Sequence, residues 1–334
     1  MSLTVSKPLD IPTNLKDCKL AILIPVYNGS ATISKLIDTV IETLSQSANL
    51  HEIILVNDGS RDNSHEVILE AIEKYPNYIT YIQLFRNFGE HNAVMCGLNQ
   101  LTADVVVIID DDFQNPPSEI LPLVTKLLEG YDVVYSYYEK KQHSLFRNIG
   151  SKINDKVATI LLAKPANLYL SSFKAISSPL VKIIVQYQGP FPYIDGLILR
   201  STTRIGTQLV QHAKREEGRS GYTIGKLLSL WMNMFTGFSI IPLRIATYLG
   251  FLFSILSVLL AIFFTIVRIQ GPFFINADIP PGWASTVVLI TFFAGLQLSI
   301  FGIFGEYLGR LFLTINESPQ YLVRDIYKKQ EPIE

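Results

Sequence analysis

The chain has 334 residues, room for one large domain or a domain with an appendage, since domains commonly run to about 100–200 residues. Its 28 Lys+Arg balance 29 Asp+Glu, so it lacks the basic field that marks nucleic-acid binders, and no nucleic-acid partner is expected. The only cysteines, Cys18 and Cys96, fall at an apolar run and in a helical pattern, which suits small buried hydrophobes rather than a disulfide framework or a zinc site.

Residues 1–17 mix charges and prolines without an apolar core segment, so they do not read as a secretory signal, and the segment beginning at Cys18 is expected on the cytosolic side. From 19 to 138 short β-branched runs alternate with amphipathic stretches. The runs 20–26, 52–57, 78–84, 105–110 and 133–137 predict buried parallel strands, and 33–44, 67–74, 93–100 and 120–128 predict covering helices. That pattern is an α/β sheet layered by helices. Residues 140–221 are mixed, with an amphipathic helix predicted over 145–162 and a strand near 208–213. Residues 222–235 alternate apolar and polar positions and carry Lys226 and Trp231, as in a helix lying in a membrane interface.

Segments 245–267 and 283–305 contain no charged residue, and each exceeds the about 18–20 residues needed to cross a hydrocarbon core. Between them, 268–282 holds one Arg and one Asp, whereas Lys214, Arg215, Arg219, Lys226, Arg244, Arg310, Arg324, Lys328 and Lys329 lie outside the pair. The positive-inside bias then predicts a transmembrane hairpin with both termini cytoplasmic. The expected organisation is an extension at 1–18, an α/β domain at 19–221, interfacial helices at 222–244, the hairpin at 245–305 and a cytoplasmic tail at 306–334. A hairpin beside interfacial helices also makes a homo-oligomer the expected assembly.

Ligands of open α/β sheets bind beyond the carboxyl ends of the strands. Those positions hold Pro25-Val26-Tyr27-Asn28-Gly29, Asn57-Asp58-Gly59-Ser60, Arg86-Asn87-Phe88-Gly89 and Asp110-Asp111-Asp112-Phe113-Gln114. If 110–112 continues the preceding strand, alternation turns Asp110 and Asp112 to one side, as a hard divalent cation such as Mg2+ or Mn2+ requires. Such a cation can bridge a diphosphate and offset the charge on it as it leaves. The alternative is a solvated acidic turn before the helix start at Pro116-Pro117. Asp58-Gly59-Ser60 by itself reads equally well as an ordinary turn and helix cap.

Taken together, these residues resemble the family 2 glycosyltransferases of GT-A fold, and within them the polyisoprenyl-phosphate glycosyltransferases. The similarity rests on Ile24-Pro25-Val26-Tyr27-Asn28, Val56-Asn57-Asp58-Gly59-Ser60, Arg86-Asn87-Phe88-Gly89, and Asp110 through Pro117. It continues in Arg215 with Gly218-Arg219-Ser220-Gly221-Tyr222, and in Gly305-Glu306-Tyr307-Leu308-Gly309-Arg310. The resemblance implies a Rossmann-like α/β GT-A catalytic domain followed by interfacial helices and a two-helix transmembrane hairpin. It implies that Pro25, Tyr27, Asp58 and Gly59 line the nucleotide pocket, and that Asp110, Asp112 and Gln114 hold the metal and the donor diphosphate. Arg147 and Ser151 match family positions near the acceptor phosphate, and Arg215 and Arg219 belong to the segment leading to the membrane, where a headgroup contact is the alternative to a catalytic role.

One motif departs from the family. Many relatives carry Gly-Asp-Phe-Arg where this chain has Ser171-Ser172-Phe173-Lys174, so Ser172 stands where an aspartate is often taken as the base. A phosphate monoester with a second pKa of about 6 is already largely dianionic, so it needs little deprotonation. Asp195 is either a substitute carboxylate or a structural group. The implied activity is inverting sugar transfer from a UDP-linked donor to undecaprenyl phosphate at the cytoplasmic face of a bilayer. The alternatives are a neutral lipid acceptor or a non-catalytic, membrane-anchored nucleotide-sugar-binding scaffold.

Overall fold

The computed structural model describes residues 14–138, 164–165, 168–211, 241–269 and 282–328. The chain divides into two compact units, Met1–Leu227 with Glu317–Glu334, and Leu228–Asn316. The helices predicted over 145–162 and 222–235 lie outside the described residues.

The first unit is built on strands β1 (Lys19–Val26), β2 (Asn49–Asn57), β3 (Ile79–Leu84), β4 (Val105–Ile108), β5 (Val133–Tyr137), β6 (Lys174–Ser177), β7 (Ile205–Leu209) and β8 (Val323–Tyr327). They form one sheet in the order β7-β5-β6-β4-β1-β2-β3-β8. Strands β4, β1, β2 and β3 run parallel, as do β5 and β7. The sheet is nevertheless mixed, because β6 is antiparallel to β4 and β5, and β8 is antiparallel to β3. Parallel neighbours need helical crossovers, and these are α1 (Ile33–Leu44), α2 (Ser64–Lys74) and α3 (Glu90–Leu98), with α4 (Ile120–Leu128) leading to β5. Helices α5 (Ser178–Ile184) and α6 (Ile194–Ser201) follow β6.

Period decides which face each residue takes. In β1, Leu20, Ile22, Ile24 and Val26 join one core with the apolar stripes of α1, α2 and α4. The α1 stripe, Ile33, Leu36, Ile37, Val40, Ile41 and Leu44, has helical spacing, and each such burial contributes about 1.5–3 kcal/mol. Leu23 points to the opposite face, where α3 comes so close that a Cβ on Gly97 would lie 2.2 Å from Leu23 Cδ1. Both cysteines are buried and free, and burial pushes their thiols up to about 11 at Cys18 and about 12 at Cys96.

Three sequence expectations change. The strand placed at 208–213 is β7, Ile205–Leu209, set earlier by pairing with β5. Strands β6 and β8 had no counterpart among the strands expected from sequence. Strand β4 ends at Ile108, and residues 111–112 form a turn, so the alternation assumed for Asp110 to Asp112 does not hold. Phe113 closes that turn with φ +59°, a left-handed conformation incompatible with a continuing strand.

The second unit contains helices α7 (Ile241–Ile269) and α8 (Trp283–Ile315). They touch through aromatic rings, with Phe253 5.5 Å from Phe292 and 5.8 Å from Phe293 between centroids. Among the described residues, Phe292–Ile315 is the stretch long and apolar enough to cross a membrane by length and composition. Large apolar side chains on both helices are exposed, Phe251 at 67% and Leu298 at 71% among them.

Candidate active site

The turns after β1, β2, β3 and β4 converge at the carboxyl edge of the parallel strands. Residues 27–30 and 57–64 are laced together: the Asn28 N–H donates to Ser60 Oγ at 2.9 Å, and the Arg61 N–H to Asn28 Oδ1 at 2.8 Å. The Gly29 N–H reaches Ser64 Oγ at 3.0 Å. Asn28 adopts φ +57°, a left-handed conformation that asparagine tolerates better than most residues. Pro25, opposite Val56, is the penultimate residue of β1, and Tyr27 just beyond the strand is 42% exposed.

Asp58 is 3% exposed, and its two carboxylate oxygens accept the backbone N–H groups of Phe88 at 2.7 Å and Gly89 at 2.9 Å. It therefore fixes the loop after β3 to the loop after β2. Burial raises its carboxyl to about 6, and those two N–H groups oppose the rise. Gly59 beside it has φ +64°, and an added Cβ would lie 2.4 Å from the Arg86 carbonyl carbon and 2.6 Å from Asn87 N. Backbone cannot yield as a flexible side chain can. Gly59→Ala should combine that collision with about 1–2 kcal/mol of left-handed strain. We expect a clear drop in melting temperature; an unchanged melting temperature would contradict the close approach.

The turn after β4 presents Asp110 and Asp112. Asp112 is 8% exposed, and its Oδ1 accepts the Gln114 backbone N–H at 3.0 Å. Asp111 instead lies against the first turn, where a Cβ on Gly29 would meet its Oδ2 at 2.1 Å. Ser172 Oγ donates to Asp110 Oδ2 at 2.6 Å, which brings the departing motif directly onto the acidic turn. Burial, then Glu90, then Asp112 push the Asp110 carboxyl up to about 7, while Ser172 and Lys174 oppose.

Asp195 is held elsewhere. It forms a buried ion pair with Lys174, and Tyr135 OH donates to it at 3.0 Å. Arg147, Ser151, Arg215 and Arg219 lie outside the described residues.

The structure adds residues that sequence reasoning missed. Glu90 and His91 open α3 directly after the Arg86–Gly89 motif. Loss of hydration in the crowded cleft raises the Glu90 carboxyl although its side chain reaches solvent; Lys174 opposes the rise, and Asp195, Asp112 and Asp58 reinforce it. His91 packs edge-on against Tyr193 at 5.1 Å, and burial lowers its imidazole to about 4. Asn115, inside the Asp110–Pro117 run already read from the sequence, accepts through Oδ1 from Tyr138 OH at 2.7 Å and steadies the end of the acidic turn. For Glu90 and His91 the one available signal was position, since both adjoin a strand-end motif.

The His91 shift carries a pH prediction. Its folded pKa lies below the ordinary 6.5, so the unfolded chain binds more protons between those values. The His91 contribution to stability is complete above about pH 6.5 and is lost as pH falls toward about 4. Melting temperatures from about pH 7 to about pH 4.5 should fall more steeply for the wild type than for His91→Gln, and parallel slopes would contradict this.

Among the described residues, no group of three or more His, Cys, Asp or Glu side chains forms a ready-made metal cage. Asp110 and Asp112 still offer hard oxygen donors from one turn, and Mg2+ is commonly held by one or two carboxylates completed by water and phosphate oxygens. The donor set fits Mg2+ or Mn2+ and would not suit a soft, sulfur-seeking ion.

Residues 21–180 match the family described as Glycosyl transferase family 2. The chain is 32% identical, over 92% of its length and 94% of the relative's, to the undecaprenyl-phosphate 4-deoxy-4-formamido-L-arabinose transferase of Photorhabdus laumondii. It is also 32% identical to the protein of that name from Proteus mirabilis, over 94% of this chain and 95% of that one. A more distant likeness, 18% identity with a TM-score of 0.49, covers 74% of the chain and 86% of a crystal structure of glucosyl-3-phosphoglycerate synthase from Mycobacterium tuberculosis. The mixed α/β sheet defines a GT-A-like fold. The chain belongs to glycosyltransferase family 2 and is a glycosyltransferase.

Proposed function

We propose that the chain transfers a sugar, with inversion, from a UDP-linked donor to undecaprenyl phosphate at the cytoplasmic face of a membrane. The observation that carries this reading is the meeting of the Asp58–Gly59 turn, the Asp110–Asp112 turn and Ser172 at one sheet edge. It gains the acceptor from relatives named as undecaprenyl-phosphate transferases along almost their whole length.

Pro25, Tyr27, Asp58 and Gly59 shape the nucleotide end. Asp110, Asp112 and Gln114 would hold Mg2+ or Mn2+, which when bound offsets negative charge on the departing diphosphate. A phosphate oxygen of the lipid attacks the anomeric carbon; the new C–O bond forms as the bond to the nucleoside diphosphate breaks, and the leaving group departs with the electron pair. The acceptor is a dianion, so no strong base is needed, and Ser172 serves by hydrogen-bonding Asp110 rather than by removing a proton. Asp195, tied to Lys174 and Tyr135, supports the floor of the cleft. Arg147, Ser151 and Arg215 are assigned to the acceptor phosphate and the membrane approach from their sequence positions.

A neutral lipid acceptor would require a true general base. Competing undecaprenyl phosphate against diacylglycerol in one reaction tests the choice: labelled sugar should appear on the phosphate lipid alone, and transfer to diacylglycerol would overturn the reading.

We assign the membrane anchor to a hairpin of 245–267 and 283–305 with both termini cytoplasmic and self-association beside it. The exposed apolar surfaces of α7 and α8 support it. In intact cells an impermeant thiol reagent should label Asn276→Cys and spare the exposed control Ser47→Cys; the reverse pattern would invert the topology.

A further inference from the structure

The strand β8 pairs with the sheet edge beside the nucleotide turns, and two polar lines run inward from it. The first begins with Tyr327, whose ring stacks on Tyr81 at 5.5 Å with 16° between planes, across the β3–β8 pairing. Tyr81 is fully buried, so its hydroxyl must find partners inside the protein. It pairs with His65 Nδ1 at 2.8 Å and accepts from Asn57 Nδ2 at 3.1 Å. The other end of the Asn57 amide, Oδ1, accepts the Ser60 N–H at 2.9 Å. With both ends of one buried amide committed, the Tyr81 hydroxyl fixes its rotation and so the position of Ser60. Ser60 Oγ in turn receives the Asn28 N–H.

The second line runs through the loop after β3. The Phe85 N–H donates to Leu322 O at 3.0 Å, and the Arg324 guanidinium lies 5.1 Å from the centre of the Phe85 ring. Three residues further on, Phe88 and Gly89 are the groups gripped by Asp58. Both supports of the Asp58–Ser60 turn thus end on β8 or on the residue just before it.

We propose that Tyr327, Tyr81 and Asn57 are positioning residues for the nucleotide turn, so that docking of β8 on β3 sets donor affinity. The inference rests on the donor role given above to Asp58 and Gly59. Without β8, β3 becomes a bare edge with open N–H and C=O groups, and Tyr81 loses the ring that keeps water from its partners. The segment that follows the apolar helix α8 therefore completes the sugar-nucleotide end of the site.

The test uses full-length protein in detergent and two readouts, amide hydrogen exchange of residues 57–61 and UDP affinity by calorimetry. Tyr81→Phe keeps the ring and removes the hydroxyl, Tyr327→Ala removes the stack, and Tyr327→Phe preserves it. We expect faster exchange at 57–61 in Tyr81→Phe and Tyr327→Ala, with α1 unchanged, and UDP binding weaker by about five- to tenfold, the size of one net hydrogen bond. Tyr327→Phe should match the wild type in both. Unchanged exchange at 57–61 in folded Tyr81→Phe, or a uniform rise across the sheet, overturns the relay. If exchange responds as expected but the wild-type protein binds no UDP, the relay stands and the donor assignment fails. Should Tyr327→Ala not fold, Tyr81→Phe decides alone.

Discussion

Asp112→Ala should lower sugar transfer by about a hundredfold or more, the usual scale when a group that stabilises developing charge is removed. Asp112 is nearly buried on the turn after β4, and one oxygen already accepts the Gln114 N–H, so the carboxylate is pre-aimed by its own backbone. Alanine deletes the charge and also strands that N–H. Asp112→Asn separates the two effects, because its amide oxygen can still accept from Gln114 while the negative charge is gone. Both variants should lose turnover, and Asn should keep the wild-type melting temperature. Asp111→Ala, whose carboxylate faces Gly29 rather than Ser172, should lose less. Initial rates of glycolipid formation, with chelator and with added Mg2+ or Mn2+, provide the comparison; full activity in Asp112→Asn, undiminished by chelation, would remove the metal-dependent reading.

The largest stability effect is expected at Lys174. Its ammonium and the Asp195 carboxylate form an ion pair with side chains only 5% and 10% exposed. Lys174→Met would leave Asp195 buried with Tyr135 as its remaining described donor, and removing one partner of a buried pair costs about 3–5 kcal/mol. Asp195→Leu should cost a similar amount, because it isolates the ammonium. The double variant Lys174→Met/Asp195→Leu should recover most of the loss, since replacing both charges with apolar groups is often near neutral. Chemical denaturation of the four proteins measures this cycle. Additive losses, or a single-variant loss below about 1 kcal/mol, would mean that the pair does not bind β6 to α6.

Much of the fold was legible because each early element carries its own period. The α1 stripe from Ile33 to Leu44 and the unbroken Val105–Ile108 run need no distant partner to be recognised. Strand β6 was hidden by Lys174, a charge that belongs in a buried strand only because Asp195 neutralises it from α6. Strand β8 was hidden for the opposite reason: Val323–Tyr327 is largely exposed, and its strand character comes from the free edge of β3. Asp58, Asp110 and Asp112 could be singled out from sequence because strand ends are where such sheets bind ligands, and the structure places all three on the turns after β2 and β4. The extended run expected at 110–112 failed because a left-handed Phe113 turns the chain. Glu90, His91 and Lys174 could not be joined to these residues from sequence, since their approach depends on α3 and β6 sharing one edge.

Transfer of a sugar onto a lipid phosphate can be observed directly by incubating the purified full-length protein with undecaprenyl phosphate and a panel of nucleotide sugars, then identifying the lipid product by mass spectrometry. The expected product is an undecaprenyl monophosphate carrying one sugar, with stoichiometric release of nucleoside diphosphate. No glycolipid with any donor, or a product with a diphosphate bridge and released nucleoside monophosphate, would contradict this function.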